Sequence, residues 1–165
     1  MPTNTTDFYL GNPNLKRVGA EIQFTKEQIS EYLKCKEDPV YFAMNYIKII
    51  SLDEGIVPFK MWDFQQELIE SFHNNRFNIA KLPRQTGKST TCVSYLLHYV
   101  LFNDNVNVGI LANKLSTARD LLGRLQLAYE QLPMWMQQGI ITYNKGSMEL
   151  ENGSKILAAS TSASA

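Results

Sequence analysis

The stretch from Phe77 to Phe102 limits the possible folds more than any other. Phe77-Asn78-Ile79-Ala80-Lys81-Leu82 reads as a short apolar strand, Pro83-Arg84-Gln85-Thr86-Gly87-Lys88-Ser89 as a tight connection, and Ser89 to Phe102 as a helix apolar on nearly every side. Such a helix is expected to be buried, here against a sheet. A turn at Asn103 to Asn105 and a strand at Val106 to Ala112 follow. The next helix has apolar residues at 115, 118, 122, 125, 129 and 132, and ends at Pro133. Strand, helix, strand, helix in that order predicts an α/β fold built on a parallel sheet with right-handed crossovers.

Different signals flank this unit. Met1 to Leu15 is rich in Thr, Asn, Asp, Gly and Pro and reads as a loose arm, extending to about residue 23. Thr25 and Gln28 are placed to form a capping box, which starts a helix running to about Lys36. Asp38-Pro39 opens a second helix with proline in its first turn, and its pattern runs to about Ile50. Asp53-Glu54-Gly55 is a turn, and Ile56 to Met61 reads as a linker into a third helix, Trp62 to about Asn74. After Pro133, Ile140 to Tyr143, Ser147 to Leu150 and Lys155 to Ala159 are three short strands. The turn residues Asn144-Lys145-Gly146 and Glu151-Asn152-Gly153 between them predict an antiparallel meander. Ser160 to Ala165 reads as a small-residue loop. The layout is thus an arm (1–23), a helical segment (24–61) and an α/β unit (62–165).

Composition sets outer bounds. The 165 residues suit one domain, and 44% hydrophobic content permits a real core. Sixteen basic residues balance sixteen acidic ones, so no overall positive field argues for nucleic acid. The two cysteines, Cys35 and Cys92, form neither a zinc spacing nor a disulfide framework. No signal peptide opens the chain, and the longest apolar run, Tyr95 to Phe102, is too short to span a bilayer. A soluble intracellular protein is expected.

The chemistry lies at Arg84 to Ser89. N–H groups at the start of the following helix point at where phosphate oxygens would sit, and the helix dipole favours negative charge there. Gly87 lets the backbone approach closely. Gln85, Thr86 and Thr90 flank it. Lys88 would place its charge on β- and γ-phosphates, and the Ser89 hydroxyl would coordinate Mg2+. ATP with Mg2+ is therefore the expected ligand. The full pattern has a glycine five residues before Gly87, where this chain has Leu82. Arg84 reads either as a group that stabilises charge on the transferring phosphoryl or as a solvated or ion-paired loop residue. Lys114, Arg119 and Arg124 could touch DNA, but their spacing favours the solvated face of an amphipathic helix. His73 and His98 have no partners in sequence.

The Arg-Gln-x-Gly-Lys-Ser form without the first glycine resembles the Walker A motif of the large terminase subunit of tailed bacteriophages, of the myovirus type. Asp38-Pro39-Val40-Tyr41-Phe42 resembles that family's N-terminal segment, and Trp62-Asp63-Phe64-Gln65 its adenine-recognition motif. Val108-Gly109-Ile110-Leu111-Ala112-Asn113-Lys114 resembles its second core strand. Asn144 to Leu150 with Asn152-Gly153-Ser154 resembles its hairpin region. The resemblance implies a P-loop NTPase sheet of the ASCE/RecA-like kind flanked by helices, incomplete here. It also implies an ATP-driven ring motor that pushes double-stranded DNA into a procapsid, with the portal protein and small terminase subunit as partners. The setting would be the host cytoplasm, with no membrane. Lys88 and Arg84 would take the catalytic lysine and arginine roles. Gln65 would read adenine, with Phe64 beside it, although Phe64 reads equally as a core residue of the third helix.

That family continues into a Walker B Asp-Glu strand, a coupling motif and a nuclease domain, none of which is in these residues. The sequence is therefore expected to be the N-terminal piece of a longer protein, able to bind nucleotide but not to turn it over. A helicase-like translocase and a non-catalytic assembly module are the competing readings.

Overall fold

Capping chemistry sets the first helices. In the computed structural model, which describes residues 7–51 and 53–161, α1 spans Lys26–Glu37. Thr25 Oγ1 accepts from Gln28 N–H at 3.2 Å, and Thr25 N–H donates to Gln28 Oε1 at 3.0 Å, the reciprocal pair expected from the sequence. Asp38 then caps α2 (Pro39–Tyr46), accepting from the Val40 and Tyr41 N–H groups at 2.9 Å each. The second helix is thus shorter than its pattern suggested. Lys48–Ser51 forms strand β1 and Gly55–Pro58 strand β2, an antiparallel hairpin pairing Ile49 with Val57. The β-branched Ile47, Ile49 and Ile50 favour extended backbone, and Gly55 turns the chain at φ 75°. The expected linker at 56–61 therefore begins as a strand.

Helix α3 covers Asp63–Asn74, α4 Lys88–Phe102, and α5 Leu115–Glu130. Between α4 and α5 runs β3, Asn107–Ala112. The 3.6-residue period of α5 is realised: Ala118, Leu122, Leu125 and Tyr129 are buried, as is Leu132 just beyond it. The meander also forms, as β4 (Ile140–Tyr143), β5 (Ser147–Leu150) and β6 (Lys155–Ser160). One mixed sheet results, ordered β3-β6-β5-β4, in which only β3 and β6 run parallel. The described residues form a mixed α/β fold with five α-helices, this four-stranded sheet and the separate hairpin.

Three expectations about the sheet need correction. The expected parallel sheet is not formed: among the described strands only β3 and β6 run parallel, because β4, β5 and β6 follow one another through tight turns and so pair antiparallel. The segment from Phe77 to Leu82 is not a strand. Among the described residues no strand lies alongside to share a ladder, so its backbone runs outside the sheet, with Phe77 82% and Ile79 fully exposed. Helix α4 is buried, but its main neighbours are α2, α3 and α5 rather than a sheet face, because the sheet does not extend beneath it. It is α5 that packs on β3 and β6.

The first residues described are tied to the far end of the chain. A 3₁₀ turn at Tyr9–Gly11 leads to the buried Leu15. Lys16 N–H donates to Gln137 Oε1 at 3.0 Å, and Ile140 N–H donates to Lys16 O at 2.8 Å. Glu151 takes Lys16 Nζ at 3.2 Å, Gly19 N–H at 3.1 Å and Gly139 N–H at 2.6 Å. Burial alone would push the Glu151 carboxyl up, but those donors outweigh it and hold it below the ordinary glutamate value. Residues 1–6 of the expected arm and 162–165 of the expected tail lie outside the described residues. No helix among the described residues is long and apolar enough to cross a membrane.

His98 is the buried histidine of the core. Its Nε2 donates to Cys35 O at 2.8 Å, while Nδ1 has no partner, and Phe42 and Phe102 pack on the ring. Burial pushes its pKa down to about 4, against smaller opposing effects from the Cys35 carbonyl and Asp38. Neutral His98 therefore stabilises the fold fully above pH 6.5, and that contribution is lost as pH falls from 6.5 towards 4. Urea unfolding is expected to show a loss of about 3 kcal/mol across that window, flattened in His98→Gln. The exposed apolar Phe77 and Ile79 should drive self-association, since extended apolar segments without partners pair with other chains. Sedimentation equilibrium should show the average mass fall towards monomer in Phe77→Ser/Ile79→Lys, whereas a wild-type chain that stays monomeric at high concentration would rule this out.

Candidate functional site

The connection before α4 has an unusual backbone. Gln85 (φ 64°) and Gly87 (φ 71°) are left-handed, with Thr86 between them at negative φ. Alternating hands of this kind turn successive N–H groups inward to form a concavity that binds anions, known as a nest. Helix α4 starts immediately after it. The first donor inside that helix is Thr91 N–H, to Gly87 O at 3.0 Å. Ahead of it, the N–H groups of Lys88, Ser89 and Thr90 are the orphan donors of a helix start. The nest and the helix N-terminus therefore present one continuous set of donors, with the helix dipole behind them.

Gln65 holds this loop in place. It lies in the first turn of α3, 3% exposed. Its Oε1 accepts from Trp62 N–H at 3.0 Å, and its Nε2 donates to Thr86 O at 3.1 Å. A Cβ on Gly87 would stand 2.5 Å from Gln65 Nε2. Position 87 thus needs glycine twice over, for its left-handed φ and for the amide pressed against it. Within the loop, Thr86 Oγ1 and Lys88 Nζ both donate to Pro83 O, at 3.0 and 3.1 Å. The Lys88 ammonium is folded onto the loop that its charge would serve.

A cavity of about 430 Å³ opens beside the loop. It is lined by Gln85, Thr86, Gly87 and Thr90 of the loop and first helical turn, and by Ile49, Phe59, Trp62 and Phe64. A second cavity of about 340 Å³ shares Ile49 and Thr90 with it and reaches Arg124 on α5. Six of the nine expected binding residues therefore line one space: Phe64, Gln65, Gln85, Thr86, Gly87 and Thr90. Arg84, Lys88 and Ser89 belong to the same loop and first helical turn. Arg84 is exposed and forms no ion pair among the described residues. The Ser89 hydroxyl is half-buried and makes no hydrogen bond among them. Phe64 is 38% exposed at the cavity and stands outside the core.

Sequence reading missed the hairpin side of this space. Ile49 and Phe59 sit either side of the Asp53-Glu54-Gly55 turn. The β-branched pairs flanking that turn were the available signal. Lys114, Arg119 and Arg124 are all exposed, consistent with the solvated face of α5. No cluster of three or more His, Cys, Asp or Glu side chains suited to a metal occurs among the described residues. No protein-family model matches the sequence.

The contact between Gly87 and Gln65 can be tested by a double-mutant cycle. Gly87→Ala is expected to cost about 1–3 kcal/mol, from strained φ together with the displaced amide. Gln65→Ala removes the obstructing amide, so the double variant should lose less than the sum of the two single changes, as touching residues do. Urea unfolding measures all three, and strictly additive losses would mean the contact is not formed.

Proposed function

We propose that the loop Arg84 to Ser89 binds the phosphates of ATP, with Mg2+. On this reading the chain is the nucleotide-binding portion of a DNA-packaging motor resembling the large terminase subunit of tailed bacteriophages. The observation that carries the proposal is the left-handed pair Gln85 and Gly87 set directly before the donor groups of α4, with Lys88 beside them. Three independent features there favour an anion: the nest, the helix N-terminus and the ammonium.

Each residue then has a defined task. N–H groups of the nest and of the first turn of α4 hold the phosphate oxygens. Lys88 leaves Pro83 O and pairs with the outer phosphates. Mg2+ would neutralise charge between the β- and γ-phosphates. Ser89, whose hydroxyl has no hydrogen-bond partner among the described residues, would be a protein ligand of that ion. Arg84, exposed and without an ion pair among the described residues, would swing towards the transferring phosphoryl. No carboxylate among the described residues lines the cavity to activate water, so these residues are expected to hold nucleotide without steady turnover.

The wider assignment belongs to the same proposal: a P-loop NTPase sheet of the ASCE/RecA-like kind in the whole motor, double-stranded DNA as cargo, a ring of subunits, and the portal protein and small terminase subunit as partners. Its support is the set of sequence resemblances together with the loop geometry.

Calorimetric titration with Mg-ATP tests the core of it. Binding should be saturable, and Lys88→Ala should weaken it by about tenfold or more, the effect of losing one charge-assisted phosphate contact. Indifference to nucleotide would end the reading. Steady phosphate release abolished by Lys88→Ala would keep the site but overturn the expectation of no turnover.

A further inference from the structure

We infer that the cavity between strand β1 and helices α4 and α5 is a binding site for a small amphipathic carboxylate, an organic acid with an aliphatic body and one ionised head. The site is separate from the phosphate loop and does not depend on the nucleotide reading, although Ile49 and Thr90 border both spaces.

The space exists because small side chains meet there. Helices α4 and α5 pack against each other. At this place, however, α4 presents Thr90 and Ser94 and α5 presents Ala128, where larger residues would fill the gap towards Ile49. About 340 Å³ is left. Protein interiors hold few voids larger than a water molecule, and a space of this size lies in the range of pockets that take organic ligands. It is too small to take a length of peptide.

Its chemistry is divided between apolar surface and positive charge. Ile49, Ile50, Val93 and Leu127 give it an apolar wall, which gains by covering from water. Lys48 and Arg124 line it as well, and no carboxylate among the described residues does. Both cations are exposed, and neither forms an ion pair or a side-chain hydrogen bond among the described residues. The guanidinium fork of an arginine matches the two oxygens of a carboxylate. The Thr90 hydroxyl makes no hydrogen bond among the described residues and is a further donor at the same wall. Ser94, almost fully buried, already donates to Thr90 O at 2.8 Å. An aliphatic ammonium would meet two like charges here, and a neutral alcohol would leave both cations unmatched. The acid satisfies the apolar wall and the charges together.

The test is calorimetry on the 165-residue chain at about pH 7, where carboxylates are ionised, with octanoate, hexanoate, octan-1-ol and octylammonium. Octanoate is expected to bind saturably at about 0.1–1 mM, the strength that so few heavy atoms supply. Hexanoate should bind about tenfold more weakly, the effect of two buried methylenes lost. Octan-1-ol and octylammonium should each bind at least about tenfold more weakly than octanoate, and Arg124→Gln and Lys48→Gln should each weaken octanoate by about tenfold while leaving octan-1-ol unchanged. Methyl NMR spectra should show octanoate shifting Ile49, Val93 and Leu127. The Phe77→Ser/Ile79→Lys variant, which lacks the other exposed apolar segment, should bind octanoate as wild type does. Octan-1-ol binding as tightly as octanoate, Arg124→Gln and Lys48→Gln both without effect, or shifts at Ile79 in place of those three methyls overturns the inference. Absence of saturable octanoate binding overturns it too, and none of these outcomes bears on Mg-ATP.

Discussion

The amide of Gln65 joins parts of the structure that are far apart in sequence. One atom closes the start of α3 at Trp62, and the other takes Thr86 O, in the middle of the loop that feeds α4. Because the amide lies against Gly87, no side chain fits there and the left-handed turn is locked in. The orientation of the first turn of α4 follows from that turn, and with it the direction of the exposed N–H groups. The neighbouring cavity has its shape for the same reason, since its walls belong to α3, the hairpin and the loop. A single buried, fully committed side chain therefore sets the geometry on which the phosphate proposal stands.

Local chemistry was well written in the sequence. The Thr25–Gln28 box, the Asp38-Pro39 start, the α5 stripe ending at Leu132 and the two Asn- and Gly-containing turns of the meander all involve residues within a few positions of each other. Their outcomes depend on little else. Phe77 to Leu82 failed for the opposite reason. A strand needs a neighbour, and an apolar hexapeptide says nothing about whether one is present. The hairpin at 48–58 was hidden because its four-residue strands are too short for alternation to show against the helical pattern running into them. At the site, the residue types of the loop were legible. The role of Gln65 was not, because it depends on a bond spanning 21 positions.

Buried polar groups elsewhere show the same economy. Gln137, 3% exposed, donates to Asn14 O and Leu132 O at 3.0 Å each, and accepts from Lys16 N–H. Ser154, fully buried, bonds Asn103 O at 2.7 Å and receives Val106 N–H at 3.3 Å. Gln137 links segments that no helix or ladder connects, and Ser154 ties the turn before β3 to the start of β6. His98 is the exception, with one ring nitrogen left unbonded inside an aromatic cluster, and it makes the core sensitive to acid.

The latch at Glu151 has a bearing on how the chain is made. Lys16 and Gly19 leave the ribosome early, but the groups that hold them, Gln137, Ile140 and Glu151, follow 121 or more positions later. The Lys16–Gln137 bond spans 121 positions. At typical synthesis speeds of about 5–20 residues per second, the leading segment waits roughly 6–24 seconds for its dock to exist. During that interval Leu15 has no core to enter. Closing of the leading segment over the meander therefore waits until the meander itself has been made.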